Sequence, residues 1–166
     1  MAKKKVGLKV PTANELSKRY GDMIVSASDT KESGLWLPST FFMLNYTFGG
    51  GIPFGKILEV AGEESSGKSL IAYNFAYTTQ QLGGHVIWVD AEQAWMNSWA
   101  QENGVDPNGV TVIRDTRIEN IADALADVAI YWRSQLTHNE PILLVVDSIA
   151  AMDCADNIDS KMVDGK

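Results

Sequence analysis

Gly62-Glu63-Glu64-Ser65-Ser66-Gly67-Lys68-Ser69 matches the pattern G-x-x-x-x-G-K-[ST] at every position. These are the residue types that a phosphate cradle demands. Glycines let the backbone curl until its N–H groups converge on the β- and γ-phosphates of a nucleoside triphosphate, at the positive end of the following helix. Lys68 supplies a charge that reaches the same oxygens, and Ser69 offers a hydroxyl to a magnesium ion. A Gly-rich turn without a ligand is the competing explanation, and the setting weighs against it. Ile57-Leu58-Glu59-Val60 ahead of the loop reads as a short apolar strand. Ser66 to Leu82 behind it reads as an amphipathic helix with Ile71, Phe75 and Leu82 on one face.

Downstream the chain keeps alternating between strand and helix. His85 to Val89 predicts a second buried strand, Trp95 to Glu102 a helix, and Val110 to Ile113 a third strand. Ile118, Ile121, Leu125, Val128, Trp132 and Leu136 mark one helical stripe, with Thr116 and Glu119 at capping-box spacing before it. Ile142-Leu143-Leu144-Val145-Val146 is apolar throughout, as expected of a parallel strand covered by helices on both faces. The class is therefore α/β, a parallel sheet flanked by helices. Upstream, Leu35 to Phe48 is apolar and aromatic and is broken by Gly49-Gly50-Gly51. Thr12 to Tyr20 predicts a short helix that ends near Gly21, and Ser26 to Gly34 is polar and turn-rich. Residues 1–34 thus read as an N-terminal helix and linker, and residues 35–166 as the core.

Composition narrows the classes. The 166 residues are 45% hydrophobic and 21% charged, which fits one ordinary globular core. No apolar run approaches the roughly 20 residues that span a bilayer, so no membrane partner is expected. The single cysteine, Cys154, excludes an intramolecular disulfide and fits a reducing cytoplasm, with its apolar neighbours suggesting a small buried thiol. A net charge of −7 offers no footprint for nucleic acid, and the one basic run, Lys3-Lys4-Lys5, reads first as a solvated tail.

A phosphate loop needs partners. An acidic residue closing a neighbouring apolar strand can hold magnesium through its water shell, and Asp147 has that position. The same residue type also ends strands as a turn or cap. Hydrolysis further needs a base that orients the attacking water. Glu92, just past the His85 strand, is favoured, and Asp90 is its rival.

Taken together these segments resemble the RecA recombinase family, including its phage UvsX-type members. Gly50-Gly51-Ile52-Pro53-Phe54-Gly55-Lys56 resembles the glycine-rich approach to that family's first core strand. Glu64-Ser65-Ser66 gives the phosphate loop its RecA-like character, and Asp90-Ala91-Glu92 resembles the segment that bears the catalytic glutamate. Gly104-Val105-Asp106-Pro107 and Val145-Val146-Asp147-Ser148-Ile149-Ala150-Ala151 also fit, so the similarity runs from about Leu37 to Met152. By resemblance, Trp99 lies where the family sets an aromatic ring against adenine, although a core tryptophan explains it nearly as well. Two residues depart from the pattern: Glu63 replaces the proline of bacterial RecA, and Met96 replaces an aspartate that reads the adenine edge.

The resemblance implies a DNA-dependent ATPase using ATP and Mg2+. Its protomers form homo-oligomeric filaments on single-stranded DNA and exchange strands with double-stranded DNA, in a bacterial or phage-infected cytoplasm. It also implies a sheet order of 3-2-4-5-1, counting the strand before the phosphate loop as first. The family's two DNA-binding loops, its nucleotide-sensing glutamine and its fifth strand lie beyond the position matched by Lys166. An incomplete core is expected, either part of a longer protein or completed by another polypeptide, with little activity alone. Two other classes compete: a P-loop phosphotransferase, disfavoured by the paucity of arginine, and a non-catalytic protomer that caps a partner filament. A helicase or clock-type ATPase of the same fold is disfavoured by Gly50 to Lys56.

Overall fold

A computed structural model of the chain describes residues 12–23, 26 and 34–154. The basic run at Lys3 to Lys5 and most of the Ser26 to Gly34 linker lie outside the described residues. The chain divides into two compact units, Met1–Gly34 and Leu35–Lys166.

In the first unit α1 (Ala13–Tyr20) is fixed by a reciprocal capping box. The Glu15 N–H donates to the Thr12 hydroxyl at 3.3 Å, and the Thr12 N–H donates to the Glu15 carboxylate at 2.9 Å. Gly21, at φ 61, ends the helix as its sequence position predicts.

The second unit begins with β1 (Trp36–Leu37), which pairs antiparallel with β2 (Ile52–Pro53) around α2 (Phe42–Phe48). Within the glycine triplet between α2 and β2, Gly51 is dictated by space. A Cβ on Gly51 would stand 2.1 Å from the Leu37 carbonyl oxygen, at a φ of 130°.

The remaining strands form one parallel sheet in the order β4 (Val110–Ile113), β3 (His85–Asp90), β5 (Ile142–Asp147). Every residue of β3 is buried. Successive side chains of a strand alternate faces. Val86 and Trp88 meet Tyr73 and Ala76 of α3 (Lys68–Gln81), with Trp95, Ala100 and Val105 closing this side of the core. On the other face α5 (Ile118–Gln135) covers the sheet, and Trp132 stacks on His85 with ring centroids 3.6 Å apart. This is the 3-2-4 portion of the order expected from the resemblance.

Five local expectations need correction. Ile57 to Val60 forms no strand, and Ile57 is 99% exposed. Its expected neighbour in the sheet is a fifth strand, which does not occur among the described residues, where the outer edge of β5 is unpaired. The single apolar stripe on α3 is also not what is buried: Phe75 is, but Leu82 is 46% exposed. That helix is covered on two sides, by the sheet and by the β1 region, where Ser39 Oγ donates to Asn74 Oδ1 at 2.7 Å. The capping box at Thr116 and Glu119 does not form. Asp115 instead fixes the turn that leads into α5, accepting from the Thr116 and Arg117 N–H groups at 2.7 and 2.9 Å, and no side chain among the described residues caps the helix itself. Finally, the helix expected from Trp95 starts only at Asn97, as α4 (Asn97–Glu102), because Asp90 holds the Trp95 N–H. Cys154 is half-buried rather than buried.

Candidate functional site

The loop from Gly62 to Gly67 turns on two left-handed residues, Ser65 at φ 60 and Gly67 at φ 92. Gly67 is the cap residue of α3, and no side chain caps that N-terminus. A 14-residue helix therefore presents its positive end to the loop, the arrangement that attracts an anion. Lys68 folds back across the loop, its Nζ donating to the carbonyls of Gly62 at 2.9 Å and Glu63 at 2.7 Å. Glu63, Glu64, Ser65 and Ser66 are exposed along the rim.

In the first turn of α3, the Ser69 hydroxyl donates to Asp147 Oδ2 at 3.0 Å. Sequence separates these two residues widely, and the packing of α3 against β5 brings them together. Asp90 and Asp147 are register partners at the ends of the two strands, and the Ala91 N–H donates to the Asp147 carbonyl at 3.1 Å. Immediately beyond, the Ser148 hydroxyl donates to Glu92 Oε1 at 2.5 Å. Ser69, Asp147 and Glu92 thus lie around the ends of two adjacent strands.

The two acidic candidates after β3 have different surroundings. Asp90 is 1% exposed and engaged on all sides. It accepts from the N–H groups of Ala94 at 2.8 Å and Trp95 at 3.2 Å, and from Arg114 Nε at 3.2 Å. Its carboxylate builds the 91–96 loop and has no free lone pair facing a substrate. Glu92 is exposed and, among the described residues, bonded only through the Ser148 hydroxyl.

A cavity of about 380 Å³ opens beside Ser69 and Asp147. Tyr73, Trp88 and Trp95 form its floor, and Met96 and Trp99 line it at more exposed positions. Tyr73 stacks on Trp88 with centroids 4.7 Å apart and tilts against Trp95 at 5.5 Å. Burial, with the Asp147 and Asp90 carboxylates adding to it, pushes the Tyr73 hydroxyl up to about 12. It therefore remains a protonated, neutral group at the base of the cavity.

The donor set suits a hard divalent cation. One hydroxyl and one carboxylate oxygen stand side by side, and no group of three or more His, Cys, Asp or Glu that could cage a metal occurs among the described residues. Magnesium is characteristically held by one or two protein oxygens, the remaining positions going to phosphate and water.

The family model of the RecA N-terminal domain matches residues 10–166. The chain belongs to the RecA family. Protein RecA of Ruminococcus albus is 36% identical over 132 residues, covering 77% of this chain and 31% of that protein. Protein RecA of Clostridium beijerinckii is 39% identical over 69% of this chain and 30% of its own length. Protein RecA of Bacteroides thetaiotaomicron is 30% identical over 93% of this chain and 46% of its own. The chain thus spans less than half the length of these curated relatives. No helix among the described residues is long and apolar enough to cross a membrane.

Within this RecA-family chain, three neighbours of the site escape a reading of sequence alone. Ser148 follows Asp147 directly, but nothing in its spacing to Glu92 announces the bond between them. Tyr73 had a legible signal, since it stands four residues after Ser69 and so shares a helix face with it. Arg114 carries no motif, and only the parallel pairing of β4 with β3 brings it to Asp90.

Proposed function

We propose that this chain is the ATP-binding part of a DNA-dependent ATPase recombinase, one that forms filaments on single-stranded DNA and promotes strand exchange with double-stranded DNA. The observation that carries the reading is the 3.0 Å bond between Ser69 and Asp147, which joins the phosphate loop to the end of a central strand. The loop backbone and the α3 N-terminus receive the β- and γ-phosphates, and Lys68 exchanges its two carbonyl partners for phosphate oxygens. Ser69 holds magnesium directly and Asp147 through water. Bound magnesium supplies neutralisation of charge on the transferring phosphoryl group. Glu92 orients and accepts a proton from the attacking water, with Ser148 fixing its carboxylate. Trp99 offers its face to the base. The filament and the two kinds of DNA are extended to this chain from the RecA family, as is a cytoplasmic setting.

Titration with a ribose-labelled fluorescent ATP in magnesium buffer tests the site. Saturable binding, displaced by unlabelled ATP and lost in Lys68→Ala, is expected. Phosphate release stimulated by single-stranded DNA, rather than phosphate transfer to a small acceptor, separates the ATPase from a phosphotransferase.

A further inference from the structure

Ser69 and Tyr73 stand four residues apart on α3, so their side chains share one face of the helix. Both line the cavity that Asp147 also lines. Ser69 reaches the Asp147 carboxylate directly, through the 3.0 Å bond. The Tyr73 ring is 4% exposed and is clamped, stacked on Trp88 and tilted against Trp95, so its hydroxyl has little freedom to move.

That hydroxyl and the indole N–H of Trp88, itself 1% exposed, are donors without a protein partner among the described residues. No side-chain donor sealed from solvent lacks a partner there, so both groups open on the cavity. Unpaired donors at such a depth are costly and mark a place for an acceptor. Burial, and next the Asp147 carboxylate, hold the Tyr73 hydroxyl protonated, so the phenol donates at neutral pH in the field of Asp147. No hydrogen bond joins the two directly among the described residues. A polar contact beyond hydrogen-bond reach is bridged by water where the space is polar and wide enough, and a cavity of about 380 Å³ is.

Resting on the magnesium site proposed above, we infer that Tyr73 is a positioning residue for the carboxylate that serves the metal. Its hydroxyl and the Trp88 N–H donate to one water, and that water donates to Asp147. α3 then holds Asp147 from successive turns, directly by Ser69 and through water by Tyr73. A carboxylate held in this way keeps its orientation towards the magnesium water shell before nucleotide arrives, and little ordering is left to binding.

The measurement is the gain in affinity for a ribose-labelled fluorescent ATP on passing from EDTA to saturating magnesium. Tyr73→Phe deletes the hydroxyl and keeps the stacked ring. Its gain should be about three- to tenfold smaller than that of the unaltered chain, the worth of one net hydrogen bond, with affinity in EDTA within about twofold. In an Asp147→Ala background the same change should lower the gain by less than about twofold, because two residues acting through one another are not additive. An undiminished gain in Tyr73→Phe overturns the inference. So does an equal loss in EDTA and in magnesium, which would set the phenol against the nucleotide itself. The full Tyr73→Phe effect persisting without the Asp147 carboxylate also overturns it. Where the unaltered chain gains nothing from magnesium, the metal site itself falls, and the inference with it.

Discussion

Replacing Asp90 by alanine should damage the fold more than the chemistry, and the converse should hold for Glu92. Asp90 is 1% exposed, with two main-chain donors and one guanidinium directed at it. Hydrogen bonds to a charged group contribute about 1.5–3 kcal/mol each, and a buried donor left unpaired costs about 1–3 kcal/mol. Arg114 is 55% exposed and regains water when its partner is lost, so its bond adds little. The two main-chain bonds together suggest about 3–6 kcal/mol. Removing the carboxylate also removes the cost of having buried it, which sets the expected loss near the lower end, about 3 kcal/mol. Asp90→Asn keeps one acceptor oxygen but turns an amide donor towards Arg114 or the Trp95 N–H, for a loss of about 1–2 kcal/mol. Glu92→Gln, at an exposed position, should stay within about 0.5 kcal/mol of the parent. Urea unfolding followed by circular dichroism at pH 7 measures all three. A loss below about 1 kcal/mol in Asp90→Ala, with an unchanged dependence on urea, would refute the structural role and reopen Asp90 as the base.

Three further outcomes follow from the geometry. Lys68→Ala removes a charge that can make two charge-assisted bonds, about 3 kcal/mol, so nucleotide affinity should fall at least about a hundredfold in a fluorescence titration while the melting temperature holds. In Ser69→Ala, chelation of magnesium should weaken nucleotide binding much less than it does in the parent, because one of the two protein oxygens is gone; an equal effect in both would place the cation elsewhere. Burial lowers the pKa of His85 below the usual histidine value, so the folded state holds it neutral while the unfolded state binds a proton. Its contribution to stability is therefore complete above the unfolded pKa, about 6.5, and is lost as pH falls below that value towards the folded pKa. The thermal midpoint should drop between pH 7.5 and 5.5, and His85→Phe should flatten that dependence. The lowered carboxyls of Asp115 and Glu140 act only at more acid pH, below their ordinary values.

Much of the fold was legible because its signals are local. The helix from Thr12 to Tyr20 needs only its own residues and the Gly21 that ends it, and β3, β4 and β5 announce themselves as short apolar runs. The phosphate loop is read from eight positions, and the left-handed Gly67 at the mouth of α3 is what those positions require. The turn into α5 was less legible, because Thr116 and Asp115 are both competent oxygens at neighbouring positions. Which one turns inward depends on the path of the chain out of β4. The choice between Asp90 and Glu92 had the same character. Both follow one strand, and only burial and the three donors around Asp90 divide the structural carboxylate from the exposed one.

Ile57 to Val60 shows the limit most clearly, because its composition favours a strand and its surroundings decide against one. A helix satisfies its own main chain, but a strand exists only through a neighbour that takes its N–H and C=O groups. β3 has such a neighbour on each side, whereas β5 has one on one side only among the described strands. In the family order the fifth strand stands between β5 and the Ile57 segment, so neither can reach the other directly. The unpaired edge of β5 carries Leu144, 48% exposed, and an open apolar edge is a template for association. Leu144→Lys should therefore reduce concentration-dependent light scattering and leave the β3–β5 register and the urea midpoint of the core nearly unchanged. Scattering that persists in this variant would assign association to another surface, such as the exposed Phe42 and Tyr46 rings of α2.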